Sequence, residues 1–180
     1  LNIHPQIYMS PIKEPNFFSQ DDMARELYIP NYRNTIDFDL ERYLSGSMEK
    51  TIHIADVREW KHYVKLYRFV TNEKAIGESS NSYFFCPTAA TEIFNRFPQA
   101  KILIVLRNPI ERAWSHYLMN LRLGYTLSNN FTDEFTNDSE QEPRGWGITH
   151  NYLELGLYSQ QLERYNQLFP YSQIKVVLYD

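Results

Sequence analysis

Short apolar runs alternate with helical periodicities along most of the chain. The stretch "KILIVL" at 101–106 is a brief, fully apolar run, the pattern of a strand buried on both faces of a parallel sheet. The residues after it predict a helix from about Pro109 to Leu123. Asn108 suits the N-cap, Pro109 the first helical position, and Glu111 the positive end of the helix dipole. Ile110, Ala113, Trp114, Tyr117, Leu118 and Leu121 recur at helical spacing and predict a core-facing stripe, with Ser115 off it. Elsewhere, "IKVVLY" at 174–179 predicts a final strand, and 152–169 a helix with Gly156 near its start. The stretch 87–97 predicts another helix, as does 56–70, where Val57, Trp60, Val64 and Tyr67 lie at helical spacing and Asp56 is placed as N-cap. Residues 74–85, "KAIGESSNSYFF", read as a short strand running into a loop. Three prolines in 1–18 predict turns and extended segments, 23–28 and 38–44 are short helix candidates, and 124–148 reads as loop-rich. Alternating strands and helices imply an α/β fold with a mainly parallel sheet.

Composition narrows this picture without naming a function. The 180 residues are 43% hydrophobic and 16% aromatic, enough for one domain with a real core. A net charge of −4 gives no bulk attraction to nucleic acid or an anionic membrane, so any anion site has to be built locally. The single cysteine, Cys86, cannot form an internal disulfide and favours a reducing compartment, hence a cytoplasmic expectation. No apolar run approaches the roughly 20 residues of a membrane span.

The chemistry concentrates around 102–124. Arg107 ends the apolar run, and ligands bind at the carboxyl edge of open parallel sheets. Ser115 lies about 10 Å along the helix axis from its start, at 1.5 Å rise per residue, so guanidinium and hydroxyl can converge on one anion. The competing possibility is an Arg107–Glu111 surface pair with Ser115 facing water. Trp146, between two glycines, is an exposed-loop aromatic candidate for substrate contact.

"LRNPIERAWSHY" resembles the 3'-phosphate-binding segment of sulfotransferases that use 3'-phosphoadenosine 5'-phosphosulfate (PAPS). "HPQIYMSPIKEPNFF", "IGESSNSYF" and "GLYSQQLERYNQLFPYSQIKVVLY" resemble further segments of that family, in the same order and spacing, and closest to its bacterial and heparan-sulfate types. The resemblance implies a P-loop-like three-layer fold with a mainly parallel central sheet flanked by helices. It implies sulfuryl transfer from PAPS to a hydroxyl or amine on a small-molecule or glycan acceptor, with no metal and no nucleic-acid partner. Arg107 and Ser115 would grip the 3'-phosphate. Glu14 matches the family's catalytic base, with Lys13 beside the sulfuryl group. Glu78 is the rival base, or else ties down its own loop.

The sequence departs from the family in several places. Ser79 and Asn16 replace a lysine and a histidine of the heparan-sulfate type. The phosphosulfate-binding loop and a later nucleotide-covering loop are missing from 1–180. The expectation is therefore a single truncated sulfotransferase domain, inactive by itself, with the Golgi lumen as its compartment in a eukaryote. Rival readings are a non-catalytic nucleotide- or glycan-binding pseudoenzyme and a nucleotide-dependent kinase of related topology.

Overall fold

The computed structural model describes residues 3–179. Its strands are β1 (Ile7–Met9), β2 (Ile12–Glu14), β3 (Ile52–Ile54), β4 (Ala75–Gly77), β5 (Ile102–Arg107) and β6 (Ile174–Tyr179). The helices are α1 (Pro30–Ile36), α2 (Leu40–Ser45), α3 (Trp60–Lys65), α4 (Ser82–Phe85), α5 (Ala89–Arg96), α6 (Pro109–Leu123), α7 (Phe131–Glu140) and α8 (Tyr158–Asn166). Every ladder among the described residues is parallel, which makes this an α/β fold.

The parallel strands form three two-stranded ladders, not one continuous sheet. β1 and β2 are successive parts of one extended segment. The first pairs with β4 (Ile7 with Ala75) and the second with β3 (Ile12 with Ile52). β5 and β6 pair from Ile102–Ile174 to Arg107–Tyr179. The expected burial of β5 on both faces is not met. Ile104 is buried, but Leu103 and Val105 are exposed, because no described element covers that face.

The main core joins Ile12, Phe17, Phe18, Leu44, Val57, Tyr63, Leu66, Ile93, Tyr165 and Phe169. Helix α3 is shorter than the sequence predicts. It begins after Glu59, and Asp56 does not cap it but accepts a hydrogen bond from Arg58 Nε at 2.9 Å. Val57, Tyr63 and Leu66 are buried, while Trp60 is half exposed under the Arg96 guanidinium.

Helix α6 has the predicted bounds. Asn108 Oδ1 accepts from the amides of Ile110 and Glu111, and Gly124 closes the helix in the left-handed region at φ 71°. Its stripe is only partly used. Ala113 and Tyr117 are buried with Tyr152, whereas Ile110, Trp114 and Leu118 stay exposed.

Helix α7 lies inside the stretch expected to be loop. Asn130 caps it by accepting from the amides of Thr132 and Asp133, the first-turn carboxylates of Asp133 and Glu134 suit the dipole, and Phe131 and Phe135 pack against the Tyr117 cluster. Among the described residues, no helix is long and apolar enough to cross a membrane.

Candidate functional site

Three parallel strands deliver their carboxyl ends to one region. β2 ends at Glu14, β3 leads into Ala55 and Asp56, and β4 leads into Glu78. Glu14 is 3% exposed, yet its carboxylate has polar company. Asn81 Nδ2 donates to Oε1 at 3.2 Å, Lys13 Nζ lies 3.3 Å away, and His53 Nε2 lies 3.7 Å away. Lys13 and His53 both reach solvent, so a buried carboxylate sits beneath an open rim formed by an ammonium and an imidazole.

The turn after Glu14 is fixed by Asn16, which is fully buried in the left-handed conformation at φ 55°. Its side chain donates to the carbonyls of Glu14 and Ala55 and accepts from Ser82 Oγ at 2.6 Å. Ser82 Oγ in turn lies 2.8 Å from Ser19 Oγ. Asparagine tolerates this backbone region better than most residues. The amide is wholly spent on the protein's own groups, so it is not available to a ligand.

Glu78 is enclosed by hydroxyls. Tyr63 and Tyr83 donate to Oε1 at 2.9 and 2.7 Å, and Ser80 donates to Oε2 at 2.6 Å. Ser80 Oγ also accepts the Asn16 amide, tying this group to the Glu14 turn. Burial pushes the Glu78 carboxyl up to about 7 against the lowering effect of its three donors, and the nearby Glu14 charge adds to the rise. Glu78 thus does more than hold loop amides, since its partners come from α3, α4 and its own loop. The contributions of Tyr63, Asn81 and His53 carried no local signal in the sequence.

At the end of β5, Arg107 Nη1 donates to Ser115 Oγ at 2.7 Å, and its Nε lies 3.3 Å from Glu111 Oε2. Both pairings weighed from the sequence therefore coexist: the guanidinium bridges a hydroxyl eight residues on and a carboxylate four residues on. The side chain keeps 38% of its surface exposed, leaving it open to an anion. His116, next along, turns the other way. It packs on Tyr152 at 5.0 Å, and burial, with Arg112 and His150 nearby, lowers its pKa to about 3, so it stays neutral.

Trp146 is not an exposed-loop aromatic. It is half-buried, its Nε1 donates to Tyr32 Oη at 2.9 Å, and its ring packs near Phe85. Gly147 beside it has φ 77°, and a Cβ there would stand 2.6 Å from the Tyr32 ring. Among the described residues, no cluster of three or more His, Cys, Asp or Glu side chains is arranged to hold a metal ion.

No family model matches the chain. Among curated proteins, it is 28% identical over 116 residues to bifunctional heparan sulfate N-deacetylase/N-sulfotransferase 1 of Caenorhabditis briggsae, covering 61% of this chain and 14% of that protein. It is 29% identical over 100 residues to heparan sulfate glucosamine 3-O-sulfotransferase 6 of Mus musculus, covering 56% of this chain and 28% of that protein. The chain thus spans well under a third of either relative. Among solved structures, it matches a sulfotransferase from Alicyclobacillus acidocaldarius at TM-score 0.80 and 31% identity, over 97% of this chain and 64% of that one. In sequence this chain is similar to heparan sulfate sulfotransferases, and its fold matches that of a bacterial sulfotransferase.

Proposed function

We propose that this chain carries the 3'-phosphate grip and the catalytic base of a sulfotransferase that moves a sulfuryl group from PAPS to a hydroxyl or amine on a small-molecule or glycan acceptor. The observation that carries the reading is the Arg107–Ser115 contact at the end of a parallel strand, 2.7 Å between an open guanidinium and a hydroxyl. A guanidinium and a hydroxyl side by side offer convergent donors to phosphate oxygens.

Glu14 takes the acceptor's proton as the hydroxyl or amine attacks sulfur, and the 3',5'-bisphosphate of adenosine leaves. Burial at the strand end keeps the carboxylate in place, and Asn81 aims it. Lys13, 3.3 Å from that carboxylate and open to solvent, is positioned to offset negative charge on the transferring group. Glu78 is the weaker candidate base, because hydroxyl donors occupy both of its oxygens.

Two measurements test the reading. Transfer from radiolabelled PAPS to a panel of hydroxyl and amine acceptors should be detectable with the full-length protein. Glu14→Gln should cut turnover by roughly 10²–10⁴-fold, the range of a lost general base, while affinity for adenosine 3',5'-bisphosphate survives. If Glu14→Gln retains turnover and a folded Glu78→Gln loses it, the base is Glu78.

A further inference from the structure

A cavity whose lining does not include Glu14 is walled in part by Ile148, which packs with Ile54 and Tyr28 in an apolar cluster. It is a half-open pocket of about 300 Å³, the lower end of the range for small-molecule sites. One wall is a single face of α7. Glu134 and Asn137 stand at i and i+3 on that helix, and Gln141 at i+7 just past its end. His150, Tyr125 and the apolar Ile29 and Ile148 also line it.

The wall is rigidly built. The Asp138 carboxylate accepts the backbone amides of His150 at 2.6 Å and Tyr152 at 3.1 Å, and the Arg144 guanidinium closes on the Asp138 carbonyl. Thr149 Oγ1 is held by Asn151 at 2.9 Å. These groups are consumed in fixing α7 to the segment after Gly147. The side-chain amides of Asn137 and Gln141, by contrast, make no hydrogen bond among the described residues. Glu134 lies 3.6 Å from His150 Nε2, beyond hydrogen-bonding distance.

From this geometry we infer that the cavity is a binding subsite for one ring of an uncharged, hydroxyl-rich ligand, a neutral sugar unit. Each side-chain amide both donates and accepts, as a sugar hydroxyl does, and the carboxylate of Glu134 accepts from a further hydroxyl. The Tyr125 ring and the two isoleucines suit the C–H face of the sugar. Charge sets the selectivity. Glu134 and Asp138 line the cavity, and the only basic side chain there, His150, already faces Glu134. A sulfate, phosphate or uronate would be desolvated against carboxylates with no free cation to meet it. The inference does not depend on which reaction the Glu14 region performs.

Amide-resolved NMR titration tests it, with glucose and N-acetylglucosamine as uncharged probes, glucuronic acid and glucose 6-sulfate as anions, and glucosamine as a cation. The uncharged sugars should shift Tyr125, Asn137 and His150 with dissociation constants on the order of millimolar. The anions should bind at least about tenfold more weakly. The double variant Asn137→Ala/Gln141→Ala removes only exposed side chains, so it should keep its thermal midpoint and bind glucose at least about fivefold more weakly. Anions binding as well as glucose would overturn the inference. So would glucosamine binding where glucose does not, an unchanged double variant, or no shift at those residues with any uncharged sugar.

Discussion

Glu78 is a sensitive probe of the Glu14 region, because its protonation is tied to folding. Burial raises its carboxyl from the ordinary 4.5 to about 7. Below pH 4.5 the group is protonated whether the chain is folded or not, and it makes no difference to stability. Between 4.5 and 7 the folded chain holds a proton that the unfolded chain releases, so stability falls as pH rises through this window. At about 1.4 kcal/mol per pH unit the gap amounts to about 3 kcal/mol, and partial solvent contact trims it to about 2 kcal/mol. Glu78→Gln removes the titration. The amide oxygen still accepts from Tyr63 and Tyr83, and the amide nitrogen can donate to Ser80, whose hydroxyl already accepts the Asn16 amide. Urea unfolding of both proteins at pH 5 and pH 8 gives the comparison. The variant should be close to wild type at pH 5 and more stable by about 2 kcal/mol at pH 8. A variant less stable than wild type at pH 8, or a difference that does not change with pH, would refute the reasoning and make the ionised carboxylate a net contributor to the fold.

Other expectations follow from the same contacts. Arg107→Ala should weaken binding of adenosine 3',5'-bisphosphate at least about tenfold by calorimetry, the cost of a lost charge-assisted bond, with Ser115→Ala falling short of that. Asn16→Ala removes the acceptor of Ser82 and the donor to the Ala55 carbonyl and places alanine in the left-handed region, so chemical denaturation should show a loss of about 2–3 kcal/mol. Gly147→Ala drives a methyl into the Tyr32 ring at φ 77°, and the thermal midpoint should fall along with the Trp146 fluorescence signature of its Tyr32 contact. His116 refuses a proton down to about pH 3, while the unfolded chain accepts one near the ordinary 6.5. Its share of stability should therefore decline as pH falls below 6.5, and that share should vanish in His116→Gln, as read from unfolding curves at pH 7 and 5.

Local chemistry was legible in the sequence, and chemistry assembled from distant segments was not. Helix α6 announced both its ends, because Asn108, Pro109 and Gly124 act on their own neighbours. The Arg107–Ser115 pair was readable for the same reason, one residue at a strand end and the other two turns up the following helix. Helix α7 was hidden because its mean composition is polar, although Asn130 and the Phe131/Phe135 pair mark it in retrospect. Asp138 falls in the stretch expected to be loop-rich, yet it is buried against backbone amides more than ten residues away. The hydroxyl cage of Glu78 needed α3, α4 and the Asn16 turn to meet, which no spacing along the chain reveals. Two apolar patterns also overstated burial. The outer parts of the α6 stripe and one face of β5 are as hydrophobic as core positions, and only the packing shows that nothing described covers them.

The segment from Ile7 to Glu14 has a consequence for how the molecule is born. Its first half must find Ala75–Gly77 on one side, and its second half must find Ile52–Ile54 on the other. None of these partners is a sequence neighbour, and no ladder among the described residues is a hairpin that could close early. During synthesis this segment therefore leaves the ribosome before either of its flanking strands has emerged. It carries Ile12 and the neighbouring Phe17 and Phe18, later the centre of the core, before Val57, Tyr63, Ile93 and Tyr165 of the same cluster have been made. Non-local parallel pairing of this kind is slow to form and leaves apolar surface open in the interval. The same parallel pairing that seats Glu14 beside Ile54 leaves the Ile7–Glu14 segment without both of its ladder partners until residue 77 has emerged.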